Sequence, residues 1–150
     1  MFFFQFIFAS MLFLAACPNT WIYLQGSCYK FSTNTSNWYG AKNACEAIGS
    51  KLAVVRSQAV NQAITSRLSK PKRCIGLYRD SNDNSSWLWV DGSRANYTNW
   101  DKGQPQVGEN CVMIYQSGFW HDYPCTTTCY YVCEREANSK YLNNFHHSDP

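Results

Sequence analysis

Glu109-Asn110-Cys111, then Gly118-Phe119-Trp120-His121-Asp122, then Cys125, Cys129 and Cys133-Glu134: this closing stretch carries the pattern on which the fold turns. It crowds half of the chain's eight cysteines around one tryptophan. Working outward, the others stand at Cys17, Cys28, Cys45 and Cys74, with Trp87-Leu88-Trp89 and Trp100 spaced between them. So many cysteines in 150 residues point to an oxidising compartment, where disulfides persist and substitute for a large core. Cysteine order and tryptophan spacing restrict the fold more together than either does alone.

The length suits one domain. Residues 2–14 are apolar, too few to span a bilayer comfortably, and Ala15-Ala16 follow. A signal peptide over 1–16, cleaved after Ala16, is the expectation, with a secreted, extracellular product and no stable membrane insertion. Two features depart from it: no Lys or Arg precedes the run, and Leu14 stands where a small residue is preferred. An uncleaved anchor and a lipoprotein site acylated at Cys17 are the alternatives. The net charge of +3 is spread over 13 basic and 10 acidic residues, which excludes the basic footprint of a nucleic-acid binder. Lys70-Pro71-Lys72-Arg73 reads as a solvated loop. Asn34, Asn84 and Asn96 open Asn-x-Ser/Thr sequons, so a glycoprotein is expected of a eukaryotic secretory route.

Trp21-Ile22-Tyr23 and Cys28 to Phe31 read as a hairpin about Gly26-Ser27. From Asn37, Trp38, Ala41, Ala44, Cys45 and Ile48 recur at helical steps until Gly49. A second helix is expected from Ser57 as N-cap to about Leu68, with Ala59, Val60, Ala63, Ile64 and Leu68 inward. Beyond Pro71 the helical period gives way to short strands at 74–77, 87–90, 111–115, 118–120 and 130–133. The segment 91–110, rich in Gly, Asn, Asp, Pro and Gln, is a long loop of the kind that carries function. Residues 17–136 form the expected domain and 137–150 a polar tail.

These pieces, in order, resemble the C-type lectin-like domain, in its long, secreted, single-domain form. The resemblance rests on Cys17-Pro-x-x-Trp21, Cys28-Tyr29, Trp38-x-x-Ala41-x-x-x-Cys45, Ile75-Gly76-Leu77 and Trp87-x-Trp89-x-Asp91-Gly92. It continues through Tyr97-x-Asn99-Trp100, Glu109-Asn110-Cys111, Gly118-x-Trp120-x-Asp122 and the Cys125 to Cys133-Glu134 spacing. It implies an α+β fold: two helices flanking small antiparallel sheets, with a long binding loop, stapled by disulfides. It also implies the pairs Cys17–Cys28, Cys45–Cys133 and Cys111–Cys125. Cys74 and Cys129 are left over, to bond within the chain or to link two chains in a homo-oligomer.

In sugar-binding members of that family one calcium ion is held by the long loop and the strand after Trp, and it coordinates two sugar hydroxyls. The matching positions here are Gln104-Pro105-Gln106, where the proline bond is usually cis, then Glu109, then His121-Asp122. The resemblance therefore implies Gln104, Gln106, Glu109 and Asp122 as ligands of Ca2+, and those residues with His121 as contacts to carbohydrate. Calcium wants six to eight oxygens, several of them anionic, so an amide at Gln106 and an imidazole at His121 weaken the site. Gln104 leans toward galactose-type hydroxyl geometry, and Tyr123 or Phe119 offers a ring to stack on the sugar. Lys102 is a candidate cation for Asp122. An accessory calcium site in the family expects an acidic residue where Arg79 stands, with Asp80 and Asp83 nearby.

Catalysis is not expected. His121 and the tail pair His146-His147 lie in no nucleophile or zinc motif, and cysteines in an oxidised domain are poor nucleophiles. The implied function is a carbohydrate-binding module whose partners are glycans or glycoproteins. The alternative is a calcium-independent module of the same fold that binds a protein or other surface through Tyr97, Trp100 or Tyr115. Asp122→Ala is expected to remove sugar retention with the fold intact.

Overall fold

Asn37 accepts a hydrogen bond from the Gly40 amide at 2.9 Å and so starts α1, Trp38–Ala47. The computed structural model describes residues 17–138; the expected signal segment 1–16 and the tail from 139, His146 and His147 included, lie outside them. Trp38, Ala41 and Cys45 bury one stripe of α1, as their spacing predicts. Ile48 does not join them. It is 45% exposed because it falls at the C-cap, where the chain has already left the helical stripe to turn through Gly49 at φ 68°.

Helix α2 runs Gln58–Thr65, capped by the Ser57 hydroxyl accepting from the Val60 amide. It stops short of the expected Leu68. The Arg67 and Leu68 amides bond back only three residues, to Ile64 and Thr65, a tighter turn that still tucks Leu68 into the core. Ile64 is buried as expected, Ala59 is exposed, and Asn61 takes an unexpected buried place.

The strands are β1 Ile22–Leu24, β2 Ser27–Phe31, β3 Lys51–Leu52, β4 Lys72–Arg79, β5 Trp87–Trp89, β6 Cys111–Tyr115, β7 Trp120–Tyr123 and β8 Tyr130–Glu136. They join in the order β1-β2-β8-β4-β6-β7, with β3 beside β8 and β5 beside β4. All pairs are antiparallel except β4 with β8, so the sheet is mixed where antiparallel sheets were expected. Strand β4 also starts earlier than its sequence suggests. Arg73 is 2% exposed, not part of a solvated loop, because its guanidinium donates to the Ser32 and Tyr131 carbonyls and lies against the Phe31 and Tyr130 rings.

Gly76 explains the Ile-Gly-Leu motif by proximity alone. A Cβ there would sit 2.8 Å from the Leu52 carbonyl oxygen and 2.9 Å from a Val90 methyl. The Gly76 amide instead donates to Ala53 and its carbonyl accepts from Val90, both at 2.8 Å. This close approach brings 52–55 onto β4 and lets Val54, Ile64, Ile75, Trp89 and Trp120 share one core. A second cluster gathers Trp38, Met113 and Tyr131 around the disulfides.

The bonds are Cys17–Cys28, Cys45–Cys133, Cys111–Cys125 and Cys74–Cys129, so the leftover pair closes within the chain. Cys17 is thereby unavailable for acylation. Cys45–Cys133 spans 88 residues and Cys17–Cys28 only 11. Chain entropy then predicts that replacing Cys45 and Cys133 with Ala costs about 4–5 kcal/mol, against about 3 kcal/mol for the shorter link. Urea unfolding of the two oxidised double variants should read that order.

Candidate functional site

Trp120 anchors the base of the long loop. Its indole N–H donates to the buried Asn61 side-chain oxygen at 2.8 Å, and its ring meets Trp89, Tyr97 and Trp100 edge-on. Trp100 also packs on Trp87, with 4.9 Å between ring centres, so it buries against the loop base. Asn61 and Asn99 both donate to the Gly118 carbonyl, which ties α2, the loop and the turn before β7 together. Backbone bonds between Trp120 and Asn99, and between Asp101 and Trp120, continue the strand pairing into the loop. Of these devices the tryptophan spacing was legible in the sequence; Asn61 carried no signal of its own.

Strand alternation then separates two neighbours that the sequence places together. In β7, Trp120 and Asp122 are buried while His121 and Tyr123 are only half so, on the other face. His121 shares its Nε2 with the Asp101 carboxylate at 2.8 Å and lies beside the Tyr115 and Tyr123 rings. That hydrogen bond, followed by one from the Lys102 amide, holds the Asp101 carboxyl below the usual carboxylate range. The Tyr115 and Tyr123 hydroxyls bond each other. Burial first, then that bond, then the nearby charges of Tyr115 and Glu109, push the Tyr123 hydroxyl well above its ordinary pKa.

Asp122 faces a later part of the loop, at Gln106. Its side chain is wholly buried, and its Oδ1 accepts the Gln106 amide at 2.8 Å. Its Oδ2 accepts from Arg79 Nη2 at 3.2 Å. Lys102 is therefore not its partner; Arg79, at the end of β4, is. The same guanidinium donates to the carbonyls of Asn84 at 2.8 Å, Gln106 at 2.9 Å and Glu109 at 3.1 Å. It lies 4.4 Å from the centre of the Trp87 ring. Asp80 and Asp83 are spent locally. Asp80 accepts the Asn82 amide, and hydrogen bonds from Ser85 and Ser86 hold the exposed Asp83 carboxyl down to about 2.

Of the expected ligands, Gln104, Gln106 and Glu109 thus lie on one loop above Asp122, and His121 does not join them. The Gln104–Pro105 bond is cis. The Gln104 Oε1 is buried and has no donor among the described residues. The Glu109 carboxylate makes no ion pair among them, and the Gln106 side chain is exposed. Phe119 is 44% exposed, which leaves it, and not the half-buried Tyr123, as the open ring.

This donor set does not fit a firmly held calcium ion. Asp122 is already neutralised by Arg79, and His121 offers nitrogen on the other face. Glu109 is left as one uncommitted carboxylate where calcium affinity follows the count of anionic oxygens. Among the described residues no three His, Cys, Asp or Glu side chains converge as a metal cluster, and no helix is long and apolar enough to cross a membrane.

The Lectin C-type domain family model matches residues 34–135. The chain belongs to the C-type lectin domain family. Chicken (Gallus gallus) hepatic lectin is 38% identical over 132 residues, covering 84% of this chain and 63% of its own length. This domain thus spans under two thirds of that relative. Among solved structures, the mouse scavenger receptor C-type lectin carbohydrate-recognition domain is 33% identical at a TM-score of 0.76, covering 81% of this chain and 99% of that one. The cow carbohydrate-recognition domain of CD23, solved in the presence of GlcNAc2Man3 oligosaccharide, is 35% identical at 0.75, covering 81% and 97%. The family commonly binds Ca2+, and the relatives of this chain include lectins and an immunoglobulin epsilon Fc receptor.

In this lectin domain Asp122→Ala no longer serves as a pure test of binding. It would strand the Arg79 cation in a largely buried place, and breaking such a pair from one side costs about 3–5 kcal/mol. Denaturant unfolding should show that loss for Asp122→Ala, and a smaller one when Arg79→Met is added to it.

Proposed function

We propose that this lectin domain is an extracellular glycan-recognition module, and that its long loop takes sugar hydroxyls through Gln106 and Glu109 without requiring bound calcium. The observation that carries the reading is the Glu109 carboxylate, which makes no ion pair among the described residues, on the same loop as the exposed Gln106 side chain. An ionised carboxylate only accepts hydrogen bonds, and a hydroxyl-rich ligand supplies donors to it. Phe119, exposed beside β7, offers an apolar face for the C–H side of a sugar ring. Relatives solved with an oligosaccharide or an N-glycan support the ligand class.

Secretion is part of the same reading. It rests on the apolar 1–16 segment and on four disulfides that need an oxidising compartment. Asn34, Asn84 and Asn96 are all exposed, as acceptors of N-glycans must be. A second reading, a protein ligand docked on the loop, is favoured by Val107, fully exposed at the loop's far end, together with Phe119.

Retention on galactose- and mannose-bearing resins, with and without EDTA, separates the readings. Retention on at least one resin that EDTA leaves unchanged is the expected result, and Glu109→Gln should weaken it at least tenfold with unfolding unaltered. Elution by EDTA would instead require a calcium ligand set. Indifference to both resins in both conditions would favour the protein ligand.

A further inference from the structure

The geometry points to Arg79 as a built-in cation: a positioning residue that holds the long loop in its binding shape, in place of a metal ion. Four N–H bonds leave its three guanidinium nitrogens for oxygens on three separate segments. Asn84 belongs to the turn between β4 and β5, Gln106 and Glu109 to the loop, and Asp122 to β7. Three carbonyls and a carboxylate around one positive centre are the donors that a hard cation would gather. A guanidinium can replace it because its planar fork presents five donors in fixed directions, whereas a lysine ammonium has one nitrogen on a flexible stem. The Trp87 ring beneath it, and its position at the end of β4, keep the fork from swinging away.

The loop needs such a tether. Between Gly103 and Gly108, both at positive φ, it has no strand pairing, and its backbone ties are few. The Gln104 amide bonds to Asp101, the Gln106 amide to the Asp122 carboxylate, and the Asn110 amide to Tyr123. Arg79 fixes the carbonyl side of the same segment and orients the carboxylate that receives the Gln106 amide. The shape is therefore independent of the calcium level of the medium. This inference rests on the loop being the binding face, but its test does not read binding.

Hydrogen exchange of the full oxidised chain provides that test, followed at the Gln104, Gln106 and Asn110 amides. In the unaltered protein these amides should exchange at one rate in millimolar calcium chloride and in EDTA. Arg79→Lys keeps the charge beside Asp122, and so the fold, but should speed exchange at Gln106 and Asn110 at least tenfold while β2 and β8 stay protected. Arg79→Met should do so more strongly. Faster loop exchange of the unaltered protein in EDTA would assign the holding to an ion and overturn the inference. Full protection in Arg79→Lys would overturn it as well. Failure to bind any sugar, with the exchange pattern as expected, would count against the glycan reading and leave the role of Arg79 standing.

Discussion

One buried ion pair, Arg79 with Asp122, sits beneath the long loop and ties it to the sheet. A charge pair out of water is stable only when its remaining hydrogen-bonding capacity is filled. Here the filling is done by the loop itself: its carbonyls take the guanidinium donors and its Gln106 amide takes the second carboxylate oxygen. The need to satisfy the pair and the shape of the loop are thus the same constraint. A segment rich in Gly, Gln and Pro, with little apolar surface to bury, acquires one conformation without regular structure.

That constraint works because the body beneath it is stiff. Cys45–Cys133 ties the first helix to the last strand, and Cys74–Cys129 ties β4 to the stretch entering β8. The ends of β4 and β7, from which Arg79 and Asp122 project, are placed by β6, which pairs with both. Trp120, held by Asn61, closes the core directly under the loop. The loop is tied down at its root and polar at its rim.

The fold was largely legible because its signals are local or covalent. The Trp38, Ala41, Cys45 period, the Ser57 cap and the cysteine order each follow from short-range rules, and the structure keeps them. The lapses have physical causes. Ile48 continued the helical period on paper but lay at the cap, and Lys72-Arg73 resembled a solvated run because burial of an arginine depends on carbonyls distant in sequence. The site was less legible. His121 and Asp122 are adjacent in sequence, yet a strand turns them to opposite faces, so Asp122 meets Gln106 while His121 bonds Asp101, earlier in the loop. Arg79 stood out only as a departure from an acidic position, and its four oxygens come from residues up to 43 positions away.

The account stands on the loop's being shaped by its own arginine and not by an ion. Trp100 and Trp120 flank that loop, so their intrinsic fluorescence reports any rearrangement when calcium is titrated into the chelator-treated protein. A flat trace through millimolar calcium is the predicted result. A saturable change in emission, reversed by EDTA, would contradict it.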